Sequence, residues 1–162
     1  MQNSLYQPDL KLAKNFTLKE ACQWAEHLPG MSKADRKKAT TLAIKHLTVE
    51  VIICATIQAG RLQSLRDRLN LMYHDYNIWI LVTCWFRPDE WEAYRGRDLS
   101  SYHPKGLATD FVIMGLPSRE MQQEAMEFAY DYLTKPQPLY GVGWSKHYKD
   151  MNFIHDDARG IL

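Results

Sequence analysis

Cysteine is scarce in this chain. There are three in 162 residues, at Cys22, Cys54 and Cys84, and no two have CxxC spacing. An odd, scattered set supports neither a disulfide framework nor a zinc–thiolate knuckle. Each cysteine sits in an apolar or helical stretch and reads as a buried thiol. Net charge is also nearly absent. The formal balance is +1, so no strong field points to nucleic acid or an anionic membrane as the main partner. The densest basic run, Lys33-Ala-Asp-Arg-Lys-Lys38, holds its own aspartate and reads as the solvated face of a helix. Long apolar runs are missing too. The longest, around Val49 to Ala55, falls well short of the ~20 residues that cross a bilayer. The opening MQNSLYQPDLKLAKNF has no apolar segment of the secretory kind. The expectation is a protein synthesised in the cytoplasm, with no membrane insertion. No internal repeat or low-complexity segment is visible.

The length suits one domain with a single core. Residues 1–15 read as an N-terminal arm and 16–162 as one domain. Thr17 and Glu20 form a capping-box pair ahead of the apolar stripe Leu18, Ala21, Cys22, Trp24 and Ala25. Pro29-Gly30 ends that helix, and Ser32 can cap a second one carrying Ala39, Leu42, Ala43, Leu47, Val51 and Ile52 inward. Gly60 interrupts. RLQSLRDRLNLMY resumes as helix, with Leu62, Leu65, Leu69 and Met72 inward.

The texture then changes. Asn77–Phe86, NIWILVTCWF, is β-branched and aromatic and reads as a strand. Residues 87–102 read as a long polar loop. LATDFVIMG is a second strand, and Ser118 opens a helix to about Leu133 with Met121, Ala125, Phe128, Ala129 and Tyr132 on one face. LYGVGW reads as a short strand, followed by a polar turn and a last strand, MNFIHDD. The pattern predicts an α+β fold: N-terminal helices, then a mostly antiparallel sheet crossed by one helix.

Chemistry concentrates in SSYHPKGLATDFVI, Ser100 to Ile113. On a strand, alternate side chains share a face, which puts Asp110 beside Ala108 and Val112. A carboxylate there is costly to bury without a counter-charge or a metal. His103 precedes the strand in a loop that Gly106 can fold back. His155 lies in the last strand, NFIHDD. Two imidazoles and a carboxylate form a set that zinc accepts, with a fourth position left for water. Taken singly, each of the three is as well explained by ordinary surface or hydrogen-bonded structure. The other histidines, His27, His46, His74 and His147, carry no pattern of their own.

The run Ser101-x-His103-x-x-Gly106-x-Ala108-x-Asp110 resembles, at every fixed position, the SxHxxGxAxD signature of the zinc D-Ala-D-Ala peptidases. That family of murein carboxypeptidases, endopeptidases and dipeptidases shares its fold with the Hedgehog signalling domain. Two further segments are similar, in the same order. LVTCWFRPDEW resembles the strand that ends in the family's aromatic–arginine turn, and aligns its arginine with Arg87. YGVGWSKHYKDMNFIHDDARG resembles the closing segment of the endopeptidase branch, with His155 as third metal ligand and Asp157 after it. NFTLKE resembles the opening of phage-type relatives. The likeness spans roughly residues 15–160.

The resemblance implies Zn2+ held by His103, Asp110 and His155, and hydrolysis of peptide bonds in peptidoglycan stem peptides or cross-links. Arg87 would stabilise the developing oxyanion or hold a substrate carboxylate. Asp150 would act as general base, with His147 close to it in sequence. Asp157 would orient a metal-bound imidazole. Ser101 would fix the loop or touch substrate, and Tyr102, Trp85 and Trp144 would line the cleft. The phage-like opening implies an endolysin released by a holin, or a lysin carried in a virion among other virion proteins. The chain departs from the family pattern at Asn152, where an acidic residue is usual three positions before the last histidine, and at Cys84 and Trp85, where small residues are usual. Two other readings stand beside this one: a non-catalytic zinc-bearing structural or wall-binding module of the same fold, and a cytosolic D-Ala-D-Ala dipeptidase.

Overall fold

A computed structural model of the chain describes residues 3–28, 30–97, 100–135, 144–148 and 153–158. The fold is α+β, with its helices concentrated ahead of an antiparallel sheet. Residues 3–10 form turns, and β1 (Lys11–Ala13) pairs antiparallel with β2 (Phe16–Thr17). The expected arm is thus stitched to the body: Leu12 is buried, and Asn15 and Gln63 exchange hydrogen bonds of 2.8 and 3.0 Å.

Helix α1 (Leu18–Gln23) starts at the expected capping box. Thr17 Oγ1 accepts from Glu20 N–H at 3.4 Å, and the Glu20 carboxylate accepts from Thr17 N–H at 2.8 Å. A 3-10 turn, Trp24–His27, continues it. Ser32 caps α2 (Lys33–Lys45). The second helix ends earlier than its apolar pattern suggests, because Thr48 caps a new helix, α3 (Val49–Met72), whose axis is bent 111° from α2. Helix α3 runs straight through Gly60. Glycine costs a helix about 1 kcal/mol relative to alanine, which this buried helix absorbs through packing. Leu62, Leu65 and Leu69 point inward as expected, whereas Met72, at the helix end, is exposed.

Strands β3 (Trp79–Cys84), β4 (Ala108–Met114), β5 (Trp144–Tyr148) and β6 (Phe153–Asp157) form a sheet in the order β3-β4-β6-β5, every neighbour antiparallel. Between β3 and β4 the expected loop contains a short helix, α4 (Asp89–Tyr94), which buries Trp91 and Glu92. Pro88 at its entrance and acidic Asp89, Glu90 and Glu92 in its first turn favour a helix start. Ser118 caps α5 (Arg119–Leu133), which crosses the sheet. Strand β5 falls on Trp144–Tyr148, where a polar turn was expected; residues 139–143 lie outside the described residues. Among the described residues only one flank of β5 is paired, and such an edge accepts a charged residue like Lys146.

The core lies between the sheet and the α3–α5 layer. Thr109, Phe111 and Ile113 of β4 are buried and Thr109 meets α3, so the alternating Asp110 and Val112 face the other way. No single helix among the described residues is long and apolar enough to cross a membrane.

Candidate metal centre

Register places Asp110 at the middle of the site. It pairs with Cys84 on β3 and with His155 on β6. His155 Nδ1–H donates to Asp110 Oδ1 at 2.7 Å. His103 reaches the same oxygen from the loop, with Nε2 3.5 Å away. The two imidazoles stand edge to face, ring centroids 5.1 Å apart. The structure therefore brings His103, Asp110 and His155 together from three separate segments.

The loop achieves this through a 3-10 turn, His103–Lys105, closed by Gly106 at φ 75°. Glycine is required there twice over: the φ is left-handed, and a Cβ would lie 2.9 Å from the Val51 carbonyl oxygen at the start of α3. Ser101 Oγ accepts from His103 N–H at 3.3 Å, so Ser101 fixes the loop. His103 Nδ1–H donates to the Trp85 carbonyl at 2.7 Å. That bond sets the tautomer and leaves the Nε2 lone pair facing Asp110. On the far side of His155, Nε2 lies 3.4 Å from Oδ2 of the buried Asp157.

Electrostatics follow from these contacts. Burial alone would raise the Asp110 carboxyl, but the two imidazoles hold it well below the usual carboxylate range. Burial lowers His103. Burial also pulls His155 down, yet Asp110 and Asp157 overcome it and raise the imidazole to about 9. At neutral pH the Asp110 carboxylate therefore lies against a protonated His155.

Donor chemistry fits a divalent metal. Bonds of about 2.0–2.1 Å at tetrahedral angles separate donors by about 3.3 Å, close to the 3.5 Å between His103 Nε2 and Asp110 Oδ1. Cys84, His103 and Asp110 form a compact group, with donor atoms all within 4.8 Å of one another, that could hold a metal ion. Cys84 adds a donor that the sequence pattern left as a buried thiol. Its Sγ lies 3.8 Å from His103 Nδ1, and burial pushes the thiol pKa up. A β3–β4 register was needed to find it. Asp110 and His155 keep 17% and 16% of their side chains exposed.

A cavity of about 170 Å³ opens beside Asp110, with Arg87 in its lining. Arg87 Nε lies 3.0 Å from Oε1 of buried Glu92 but out of line for a hydrogen bond. Trp85, expected to line the cleft, is instead fully buried and donates to the Gly106 carbonyl at 3.1 Å. Tyr102 sits at the start of the 3-10 turn with Lys105 Nζ over its ring at 4.7 Å. Trp144 opens β5 opposite Asp157. Asp150 and Asn152 lie outside the described residues. No family model, curated protein or solved structure matches the chain.

Proposed function

We propose that the protein is a zinc-dependent peptidase acting on D-amino-acid-containing stem peptides or cross-links of peptidoglycan. The observation that carries this reading is the convergence of His103 and His155 on one oxygen of Asp110, at the edge of a cavity that also receives Arg87. His103, Asp110 and His155 would hold the zinc. Bound there, zinc supplies a Lewis acid that activates water and polarises a carbonyl. Asp157 holds the His155 ring from behind, as the Trp85 carbonyl holds His103. Arg87 meets the negative charge that develops on the carbonyl oxygen, or grips a substrate carboxylate. Asp150 takes a proton from the attacking water and passes it to the leaving amine. An endolysin or virion-borne lysin is the setting that suits such an activity.

Digestion of purified sacculi, with and without a chelator, followed by mass spectrometry of the released muropeptides, tests this. Chelator-sensitive release of peptide fragments is expected. Asp150→Asn should keep the metal and lose turnover. A second reading has one observation in its favour: the Cys84 thiol beside His103. A fourth protein donor closes a zinc site and makes it structural. Fully zinc-loaded protein that releases nothing from sacculi would favour that module; cleavage of free D-Ala-D-Ala alone would point to a dipeptidase.

A further inference from the structure

The cavity beside Asp110 has a charge pattern that peptide hydrolysis alone does not require. Its volume, about 170 Å³, is below the ~300–1,000 Å³ of pockets that enclose a drug-sized ligand. It fits a single side chain or residue. Trp24, Met31, Trp91 and Phe153 give it apolar walls. Three guanidinium groups, Arg87, Arg95 and Arg97, also line it, against one carboxylate, Asp110. Asp110 is already engaged by two imidazoles, at 2.7 and 3.5 Å.

The anions behind the wall do not balance these cations closely. Glu92 Oε1 lies 3.0 Å from Arg87 Nε and 3.8 Å from Arg97 Nη1, so one carboxylate oxygen serves two guanidiniums. Asp35 Oδ2 lies 3.9 Å from Arg95 Nη1, while its other oxygen accepts from the Tyr94 hydroxyl at 3.1 Å. Arg87 is 13% exposed and held in place. Arg95 and Arg97 are 40% and 46% exposed. Contacts of 3.8 and 3.9 Å made by half-exposed guanidiniums are long and weak. A planar carboxylate, which a guanidinium grips in a two-point fork, can replace them.

We propose that this cavity seats a residue with an apolar body and a carboxylate, next to the bond presented to the metal centre, and that Arg95 and Arg97 select it. The inference rests on the peptidase reading and names the substrate feature that the same site recognises. Arg87 is left for the reacting carbonyl. The mostly apolar lining favours a carboxylate on a hydrocarbon stem over a fully hydrated phosphate.

The 15N-labelled full-length protein, titrated with phenylbutyrate, gives the test. The indole N–H signals of Trp24 and Trp91 should both shift and saturate, and phenylbutyramide should bind about tenfold more weakly or worse. Arg95→Gln and Arg97→Gln, at half-exposed heads, should together weaken the acid about tenfold and leave the amide unchanged. Equal binding of acid and amide, or full-strength binding of the acid to the double variant, overturns the proposal. The zinc-loaded protein supplies the second arm. Stem peptides with a free carboxylate beside the cleaved bond should exceed their amidated forms in kcat/KM by about tenfold, and the double variant should erase that preference. Protein that binds phenylbutyrate but cleaves no peptide retains the carboxylate pocket and sinks the peptidase reading. Protein that cleaves acid and amide alike sinks the pocket alone.

Discussion

Strands β4 and β6 carry two carboxylate clusters back to back, and the two are built on opposite terms. On the helix side, Asp156 takes hydrogen bonds from Gln58 at 2.7 Å and from Arg61 at 2.8 and 3.1 Å, and both members of the ion pair are fully buried. On the other side, one register position away, Asp110 is met by His103 and His155 and stays partly open to solvent. The bases differ in kind. A guanidinium is a fixed cation, so Asp156 has a fixed counter-charge. An imidazole can exchange its proton, so the His155 proton beside Asp110 is one that a metal can displace. One face of the ladder is locked and the other is exchangeable, because two successive residues on a strand point to opposite sides.

Disturbing either face should have graded effects. The largest effect falls on the exchangeable face. His103→Ala should take metal content from near one ion per chain to near none, measured by elemental analysis, with the far-ultraviolet dichroism unchanged. Next, Arg61→Met should strand Asp156 without its charge partner and cost about 3–5 kcal/mol in urea unfolding, while metal content stays at the wild-type level. Loss of metal in that variant would mean that the two faces are not separable. Smaller again, Asp157→Asn should weaken metal binding about 10–100-fold by loosening the His155 ring, read by competition with a chromophoric chelator. The smallest is a proton count. His155, raised to about 9, is protonated at neutral pH, so metal binding near pH 7 should release about one proton from it. Calorimetry in buffers of different ionisation enthalpy reads this directly. The same shift has a stability sign. A raised histidine stabilises the metal-free fold fully below its unfolded pKa of about 6.5 and loses that contribution as pH climbs through about 9. The melting temperature of the chelated protein should therefore fall over that window.

Features that follow from local chemistry were legible in the sequence. Thr17, Ser32 and Ser118 stand where their helices begin, and strand β4 follows the period-two patterning that sets Asp110 on one face with Ala108 and Val112. What local patterning hid has equally physical reasons. Thr48 splits a continuous apolar helical stripe, because a side-chain cap and a bend leave the period unchanged. Helix α4 was obscured by polar residues whose anchors, Trp91 and Glu92, only find a core in three dimensions. Strand β5, at the edge of the sheet among the described residues, is written WSKHY, which has no apolar alternation to announce it. Arg61 and Asp156 are 95 residues apart, and nothing near either announces the other. Cys84 joins the metal centre only through its pairing with Asp110. The three arginines of the cavity surround a helix that sequence patterning had assigned to a loop.

The tight fit of Gly106 against Val51 ties the two halves of the chain together. The first turn of α3 is the backstop on which the His103 loop rests, so the helical half is part of what holds that imidazole at its station. Excising residues 77–162 as a minimal unit would remove the α3 carbonyl against which Gly106 packs. Grafting the ligand-bearing strands onto another scaffold would have to bring along a helix end, set at the same height, for the glycine to lean on.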